Sequence, residues 1–141
     1  MQISLLRPIS FTATRYTSQE FGEHPEWYVR WRLAGHNGID YPVPIGTPVI
    51  ATHAGKTKTG NNPNGYGNFV RVYDAQCETI YGHLSKIIVA NDEDVSTGQQ
   101  IGLSGNTGNS TGPHLHWGLR IKKMCNPAYG DYVDPTPFRD I

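Results

Sequence analysis

The sequence predicts a mainly β fold, a single compact domain built on an antiparallel β-sheet. The apolar residues come in short runs separated by Gly, Pro and Asn, and none of these runs has the periodicity of an amphipathic helix. A chain of 141 residues is long enough for one hydrophobic core and too short for two comfortable ones. The 16 glycines and 10 prolines indicate many turns between the strands.

Five segments have the length and composition of β-strands, and stretches such as GNNPNGYG and GNTGNSTGP provide turns between them. Only the turn DAQC separates the second segment from the third, which predicts a hairpin around Ala75 and Gln76. The predicted strands are residues 47–54, 68–74, 78–85, 99–105 and 114–121.

The single predicted domain, residues 1–141, has three parts of different character. Residues 1–30 form an irregular, aromatic-rich arm, and residues 31–121 form the core that carries the predicted strands. The tail, residues 122–141, contains three prolines, so it is expected to end the domain as a clasp or a loose terminus and to contribute no central strand.

The arm and the residues directly after it contain aromatic side chains close in sequence to His36. Because large aromatic residues gain most from burial, they are predicted to pack on the sheet. The alternative hypothesis is that Trp27, Tyr28 and Trp31 wall one side of a cleft.

The charge balance argues against nucleic acid or an anionic membrane as the main partner. The chain has 12 Lys and Arg against 12 Asp and Glu, and no block of like charges appears. No run has the length of a membrane span, and the start MQISLLRPISFTATRY lacks the basic and apolar regions of a signal peptide. We therefore expect neither membrane insertion nor an export signal.

The two cysteines, Cys77 and Cys125, are far apart in the sequence and belong to no CxxC motif. The sequence leaves open whether they pair or stay reduced, and it gives no reason to expect metal ligation.

Two histidines stand one residue apart in the predicted strand GPHLHWGLR. In an extended segment, His114 and His116 share one face, while Leu115 and Trp117 share the other. A lone HxH pair is most often a pair of exposed strand residues, so its meaning depends on what else lies nearby.

A second cluster, GHNGIDYPVPIGTPV, places His36 and Asp40 four residues apart around Gly38. The glycine and the following prolines exclude a long helix, so we expect a loop or short turn that leads into a strand. Imidazole nitrogens and carboxylate oxygens are ordinary zinc ligands, and a catalytic zinc keeps three of them and an open position. These two residues and one histidine of the HLH pair would complete such a set.

The third element, TIYGHLS, places His83 near the end of a predicted strand, with Tyr81 two residues earlier on the same face. Alone, such a histidine is usually a packing or surface residue. The remaining histidines, His24 and His53, match no ligand position and are expected on the surface.

Taken in order, these motifs resemble the zinc endopeptidases of the lysostaphin and LytM type, the M23 peptidases. The resemblance covers about four fifths of the chain, and several motifs in one order are far more specific than any single motif. The matching segments are HNGID (36–40), PIGTPVIA (44–51), GYGN (65–68), TIYGHLS (79–85), GQQIGLSGNTGNSTGPHLHW (98–117) and, more loosely, SQEFG (18–22).

The resemblance implies a groove flanked by long loops and one catalytic Zn²⁺ bound by His36, Asp40 and His116. It also implies that His114 and His83 face the fourth position without binding the metal. His114 is the favoured general base, and the division of roles between these two histidines stays open.

Three further residues are weaker candidates for the site. The hydroxyl of Tyr81 would donate to a tetrahedral oxyanion, and a buried structural tyrosine is the equal alternative. Asn37 and Asn68 are candidate contacts to the substrate or to the metal ligands.

The implied activity is hydrolysis of peptide bonds in bacterial peptidoglycan, in the stem peptide or the cross-bridge. The expected lack of an export signal favours a phage endolysin or a virion-associated lysin, with a virion or tail assembly as a candidate partner. The alternatives are a trimmed bacterial enzyme, a non-catalytic wall-binding regulator, or a structural component of a phage tail or cell-puncturing assembly.

Overall fold

A nine-stranded antiparallel sheet forms the body of the protein, in a computed structural model that describes residues 3–10 and 12–139. The strands are β1 (Ile39–Tyr41), β2 (Pro48–Ile50), β3 (Gly55–Asn62), β4 (Gly67–Tyr73), β5 (Cys77–Ile87), β6 (Asp94–Val95), β7 (Gln100–Ser104), β8 (Leu115–Ile121) and β9 (Tyr132–Val133). Six of them lie side by side in the order β1-β8-β5-β4-β3-β6. Strand β7 pairs with β5 and β2, and β9 pairs with β8. The predicted mainly β fold is therefore confirmed.

Helical structure in the described ranges is limited to short turns. One α-helical turn, α1 (Pro25–Tyr28), leads into a 3₁₀ turn at Val29–Trp31. Two further 3₁₀ turns lie in the tail, at Pro127–Tyr129 and Thr136–Phe138. None of these elements has the length and apolar character that a membrane-crossing helix needs.

Four of the predicted strands and the hairpin between two of them are present. Segments 68–74, 78–85, 99–105 and 114–121 correspond to β4, β5, β7 and β8. The hairpin is closed by the N–H of Asp74, which donates to the carbonyl of Cys77 at 3.0 Å.

Strand β3 and the end of the first predicted strand differ from the prediction. Residues 47–54 were expected to form one strand, but β2 ends at Ile50 and a new strand starts at Gly55. The sequence of β3, GKTKTGNN, has no apolar alternation, so its pattern does not indicate a strand. It pairs with β4 through seven consecutive residue pairs, because ladder hydrogen bonds need only the backbone.

The hydrophobic core lies on one face of β5 and β8. Leu115, Trp117 and Leu119 alternate along β8 and are fully buried. The arm supplies Leu5 and Ile9 to the same core, and both are fully buried. Burial of such side chains stabilises the fold by about 1.5–3 kcal/mol each, so the start of the arm is part of the domain's core.

The described part of the tail closes the domain as a clasp. Strand β9 pairs with the end of β8, where Leu119 faces Val133 in the ladder. The carbonyl of Phe138 accepts a hydrogen bond of 2.8 Å from the N–H of Leu5. The boundaries drawn at residues 30 and 121 stay a prediction.

Both cysteines are free thiols, so Cys77 and Cys125 do not pair in the structure. Cys77 is buried and Cys125 is exposed. Burial, together with the nearby charge of Asp74, raises the pKa of the Cys77 thiol to about 12. At neutral pH this thiol therefore keeps its proton and is a poor metal ligand.

Candidate metal centre

The register of β1 against β8 brings the first two candidate ligands together. Asp40 lies directly opposite His116 in this antiparallel pair, and Asp40 Oδ1 is 3.0 Å from His116 Nδ1. His36, in the loop before β1, places its Nε2 at 3.1 Å from each of these two atoms. The loop predicted for this segment is confirmed, and the three residues form a small triangle of ligand atoms.

The triangle has the dimensions of a zinc site. Ligand atoms bound to tetrahedral zinc at about 2.0–2.2 Å are separated by about 3.3 Å. The side chains are almost entirely buried, with exposed fractions of 2% for His36, 9% for Asp40 and 3% for His116. Two buried imidazole nitrogens that face each other and a carboxylate at this distance fit a shared cation.

Backbone contacts orient two of these rings. The Nδ1–H of His36 donates to the carbonyl of Glu20 at 3.1 Å, which leaves the Nε2 lone pair for a metal. The ring of His116 lies against Gly38, where an added Cβ would be 2.7 Å from His116 Cε1 and 2.4 Å from the carbonyl oxygen of Trp117. A side chain at Gly38 would therefore displace the ligand ring, which explains the glycine between His36 and Asp40.

Electrostatics favour the metal-binding protonation states of Asp40 and His116. Burial alone would raise the pKa of Asp40, but hydrogen bonds and charges from His116 and His36 outweigh it and hold that pKa far below its usual range. Burial lowers the pKa of His116, and the opposing effect of Asp40 is smaller. Asp40 is therefore ionised and His116 has a strong tendency to be neutral at neutral pH.

His114 stands beside the triangle and faces it. Its Nε2 is 3.5 Å from Asp40 Oδ2, and its Nδ1–H donates to the carbonyl of Gly112 at 2.8 Å. Ser110 Oγ lies 3.2 Å from the same Nδ1. The alternation in HLH is confirmed: both histidines face the site, while Leu115 points into the core.

His83 reaches the same place through an irregularity in β5. Its ring centre is 4.7 Å from that of His114 and 6.2 Å from that of His116. Its backbone has a positive φ of 60°, at a register shift between β4 and β5. Such a bulge re-aims a side chain, so His83 faces the site although Tyr81, two residues earlier, faces the core. The prediction that these two residues share a face is wrong.

The interpretation of Tyr81 as an oxyanion donor is corrected by its position. The side chain is completely buried, and its hydroxyl accepts a hydrogen bond of 2.9 Å from the N–H of Thr52. The hydroxyls of Thr52 and Thr79 each lie 2.8 Å from it. Burial raises the pKa of this phenol. Tyr81 is therefore a buried structural tyrosine, which was the alternative to the oxyanion role.

The two candidate asparagines have different positions. Asn37 lines the cleft, and its Nδ2 donates to the hydroxyl of Tyr66 at 2.8 Å. Asn68 lies away from the cleft lining, and its Nδ2 donates to the carbonyl of Leu84 at 3.1 Å. Its Oδ1 accepts a bond of 2.6 Å from Asn61. Asn68 therefore braces strands β3 to β5 and is not placed to contact a substrate.

The predicted surface position of His53 is also wrong, because this side chain is buried. Its Nε2 is 3.0 Å from Thr79 Oγ1 and its Nδ1 is 2.9 Å from the carbonyl of Ala54. With Asp74 and Cys77 it forms a second group of potential ligands. These atoms already have protein partners, so the group has a structural explanation. His24 is half-exposed, as expected.

Two aromatic residues lie beside the ligands: Tyr66, which was not singled out from the sequence, and Tyr28, which was a candidate for the cleft wall. Tyr66 packs its ring 5.1 Å from that of His116, and Tyr28 packs 5.5 Å from that of His36. The hydroxyl of Tyr28 donates to Oε1 of Gln19. The only sequence signals were the GYGN match, which contains Tyr66, and the closeness of the arm to His36.

A cleft of about 610 Å³ leads to the metal centre. Trp27, near the end of the arm, and Trp31, directly after the arm, line this cleft, and they are 56% and 36% exposed. The predicted burial of these two tryptophans is wrong. The alternative position beside the cleft is confirmed for both and for Tyr28, which is half-buried and also lines the cleft. Further lining residues come from the end of β3 and the turn after it, Asn62, Gly65 and Tyr66, and from the loop 109–113.

Comparison with known sequences identifies the family. Residues 34–135 match the sequence model of Peptidase family M23. The chain belongs to this family. M23 peptidases are zinc-dependent, so the predicted cofactor, one Zn²⁺, is confirmed together with the resemblance.

Two curated relatives of this M23 peptidase have names that describe wall hydrolysis. Peptidoglycan DD-endopeptidase ShyA of Vibrio cholerae is 47% identical over 100 residues, which are 70% of this chain and 23% of ShyA. DD-carboxypeptidase/endopeptidase Mpg of Neisseria meningitidis is 43% identical over 136 residues, 94% of this chain and 30% of Mpg. The chain thus spans less than a third of these relatives.

A solved structure has the same fold. A zinc-containing peptidase from Vibrio cholerae superposes with a TM-score of 0.73 at 35% identity, over 90% of this M23 peptidase and 37% of that chain.

Proposed function

We propose that this chain is a zinc-dependent endopeptidase that hydrolyses peptide bonds in bacterial peptidoglycan. The observation that carries the proposal is the buried triangle of His36, Asp40 and His116, with two further imidazoles facing it at the floor of an open cleft. The names of the relatives ShyA and Mpg supply the substrate class.

In this proposal His36, Asp40 and His116 hold the metal. Zinc in such a set supplies a water with a pKa of about 7 and polarises the scissile carbonyl. Because His36 is oriented by Glu20 and His116 is packed against Gly38, the protein fixes two ligands before the metal arrives.

His114 is the proposed general base. Its Nδ1–H is bound to the carbonyl of Gly112, so the Nε2 lone pair faces the metal centre at 3.5 Å from Asp40 Oδ2. It takes a proton from the attacking water and later returns it to the leaving amine. A positioned general base contributes about 10²- to 10⁴-fold to the rate.

His83 has a different proposed role, as a neutral hydrogen-bond acceptor. Burial, followed by the charges of His116 and His114, lowers its pKa to about 4, so it carries no charge at neutral pH. Its Nδ1–H donates to the carbonyl of Thr107 at 2.6 Å, which leaves Nε2 without a hydrogen. It therefore orients an N–H or O–H donor of the reacting groups and is not a cationic stabiliser.

The proposed bond joins two D-configured residues, as the term DD-endopeptidase in the name of ShyA states for that protein. Complete ligand and histidine sets favour an enzyme over the non-catalytic regulator that the sequence left open.

Digestion of purified peptidoglycan sacculi tests the proposal. Zinc-loaded protein, chelated protein, re-zincated protein and His114→Ala are compared, and the released fragments are identified by mass spectrometry. We expect new amino termini only with zinc and an intact His114. Failure of the folded, zinc-loaded protein to release fragments from any wall type would contradict the proposal.

A phage-delivered lysin or virion component stays a separate proposal about the setting of the same chemistry. The named relatives are bacterial, which favours a bacterial wall enzyme. Holin or tail genes beside the coding sequence would support the phage setting, and wall-synthesis neighbours would contradict it.

A further inference from the structure

The side chains that line the cleft carry very little charge. Among the described lining residues, the only carboxylate is that of Asp40, which lies in the metal centre. The only Lys or Arg is Arg30, in the 3₁₀ turn Val29–Trp31. A substrate in the cleft therefore meets one fixed cation outside the metal centre.

Arg30 lies over an aromatic ring and has no carboxylate partner among the described residues. Its Cζ lies 4.1 Å from the centre of the Trp31 ring, and no described carboxylate is within ion-pair distance of it. The partly buried Arg71 and Arg120, in contrast, both pair with Glu78. Arg30 is thus an exposed guanidinium that lies over an indole ring and has no ion pair with a described carboxylate.

This geometry suits recognition of a carboxylate. A guanidinium stacked on an indole loses little of its hydrogen-bonding capacity, because the donors lie at its edge and the ring covers a face. The free edge matches the two oxygens of a carboxylate in a bidentate pair. Stacking also limits the motion of the long side chain, which reduces the entropy cost of binding.

We propose that Arg30, stacked on Trp31, is a specificity-determining residue that binds a free carboxylate of the peptide substrate. The inference rests on the proposed function and names the substrate class more closely: peptides with an unblocked carboxylate near the scissile bond. In a cross-linked stem peptide, the candidates include the C-terminal carboxylate and the side-chain carboxylate of a diamino dicarboxylic acid.

The test uses a synthetic cross-linked stem-peptide dimer in three forms: free acid, C-terminal amide and side-chain amide. Each is hydrolysed by zinc-loaded wild type, Arg30→Gln, Arg30→Lys and the control Arg32→Gln. Arg32 is the next arginine, is exposed and lies outside the cleft lining. We expect Arg30→Gln to raise KM for the free acid about tenfold with little change in kcat, as loss of one charge-assisted contact predicts.

The amides identify the carboxylate. Wild type should show the same tenfold rise in KM with one amide only, and Arg30→Gln should add no further rise for that amide. Arg30→Lys should recover part of the loss, because it keeps the charge and loses the bidentate edge. Arg32→Gln should match wild type.

Binding of the three peptides to His114→Ala, with and without Arg30→Gln, is measured by calorimetry. This measurement tests the role of Arg30 separately from the proposed peptidase activity. Equal affinity for the free acid and both amides, unaffected by Arg30→Gln, overturns the inference even if the wild type cleaves them. Carboxylate-dependent binding without any cleavage by wild type keeps the inference and overturns the proposed peptidase.

Discussion

At the scale of single residues, backbone carbonyls fix the orientation of the site's histidines. His36, His83 and His114 each donate from Nδ1 to a carbonyl, those of Glu20, Thr107 and Gly112 respectively. Each ring therefore presents Nε2 to the centre, because a loop carbonyl fixes which ring nitrogen carries the hydrogen.

Replacement of Tyr81 by phenylalanine should affect stability and not catalysis. The change leaves the buried N–H of Thr52 without its acceptor, so we expect a loss of about 1–3 kcal/mol in the free energy of unfolding. Urea denaturation measures the loss, and fragment release from sacculi measures turnover. A stable variant with a hundredfold lower kcat would restore the oxyanion role for Tyr81.

The zinc-free protein should lose stability as the pH falls from about 6.5 to about 4. In this range the unfolded state binds a proton at residue 83 that the folded state does not, because the folded His83 has a pKa of about 4. The cost at the acid end is on the order of 3 kcal/mol. Any effect of the lowered Asp40 pKa falls below this range, where carboxylates titrate.

His83→Gln should flatten that dependence in chelated protein, measured by urea denaturation across the same pH range. Some slope should remain, since burial also lowers the pKa of His116. An unchanged slope in His83→Gln would show that His83 titrates normally.

At the scale of elements, strand alternation predicted which face a side chain occupies only where the strand is regular. It placed His114 and His116 on one face, because β8 is regular there. It failed for His83, since a positive φ within β5 breaks the alternation. It also missed β3, whose pairing with β4 depends on backbone hydrogen bonds and not on an apolar pattern.

Gly38→Ala tests how closely β1 approaches β8. The new Cβ would lie 2.4 Å from the carbonyl oxygen of Trp117 and 2.7 Å from His116 Cε1, and the backbone cannot yield cheaply. We expect a loss of about 1–3 kcal/mol in stability and weaker zinc binding. Gly112→Ala is the control for thermal stability, because an added Cβ there meets nothing within 4 Å. Equal melting temperatures for the two variants would contradict the close approach.

At the scale of the whole molecule, the site depends on a contact that no local pattern predicts. Asp40 and His116 are 76 residues apart in sequence and become neighbours only when β1 pairs with β8. The residue types and the family resemblance predicted the ligand set. The sequence could not decide whether Trp27 and Trp31 are buried or line the cleft, because their position depends on how the arm packs.

Zinc removal should therefore lower the stability of the entire domain. With free zinc a thousandfold above its Kd, binding stabilises the folded state by about 4 kcal/mol. For a domain of this size we expect chelation to lower the melting temperature by on the order of 10 °C.

Asp40→Asn should melt at the same temperature with and without zinc, while Asp74→Asn, in the second His/Asp/Cys group, should respond like wild type. If the zinc response were lost in Asp74→Asn and kept in Asp40→Asn, the metal would bind at His53, Asp74 and Cys77, and the proposed ligand set would be wrong.

Because β1 must pair with β8, the metal centre can form only late in the synthesis of these residues. Translation proceeds from His36 to His116, and the strand that carries His116 is the eighth of nine. While the residues between Asp40 and His116 are synthesised, a nascent chain therefore holds two of the three ligands without the strand that completes the set. We expect a ribosome-bound chain to show none of the proposed peptidase activity until β8 has emerged and paired, so the order of synthesis would delay that activity.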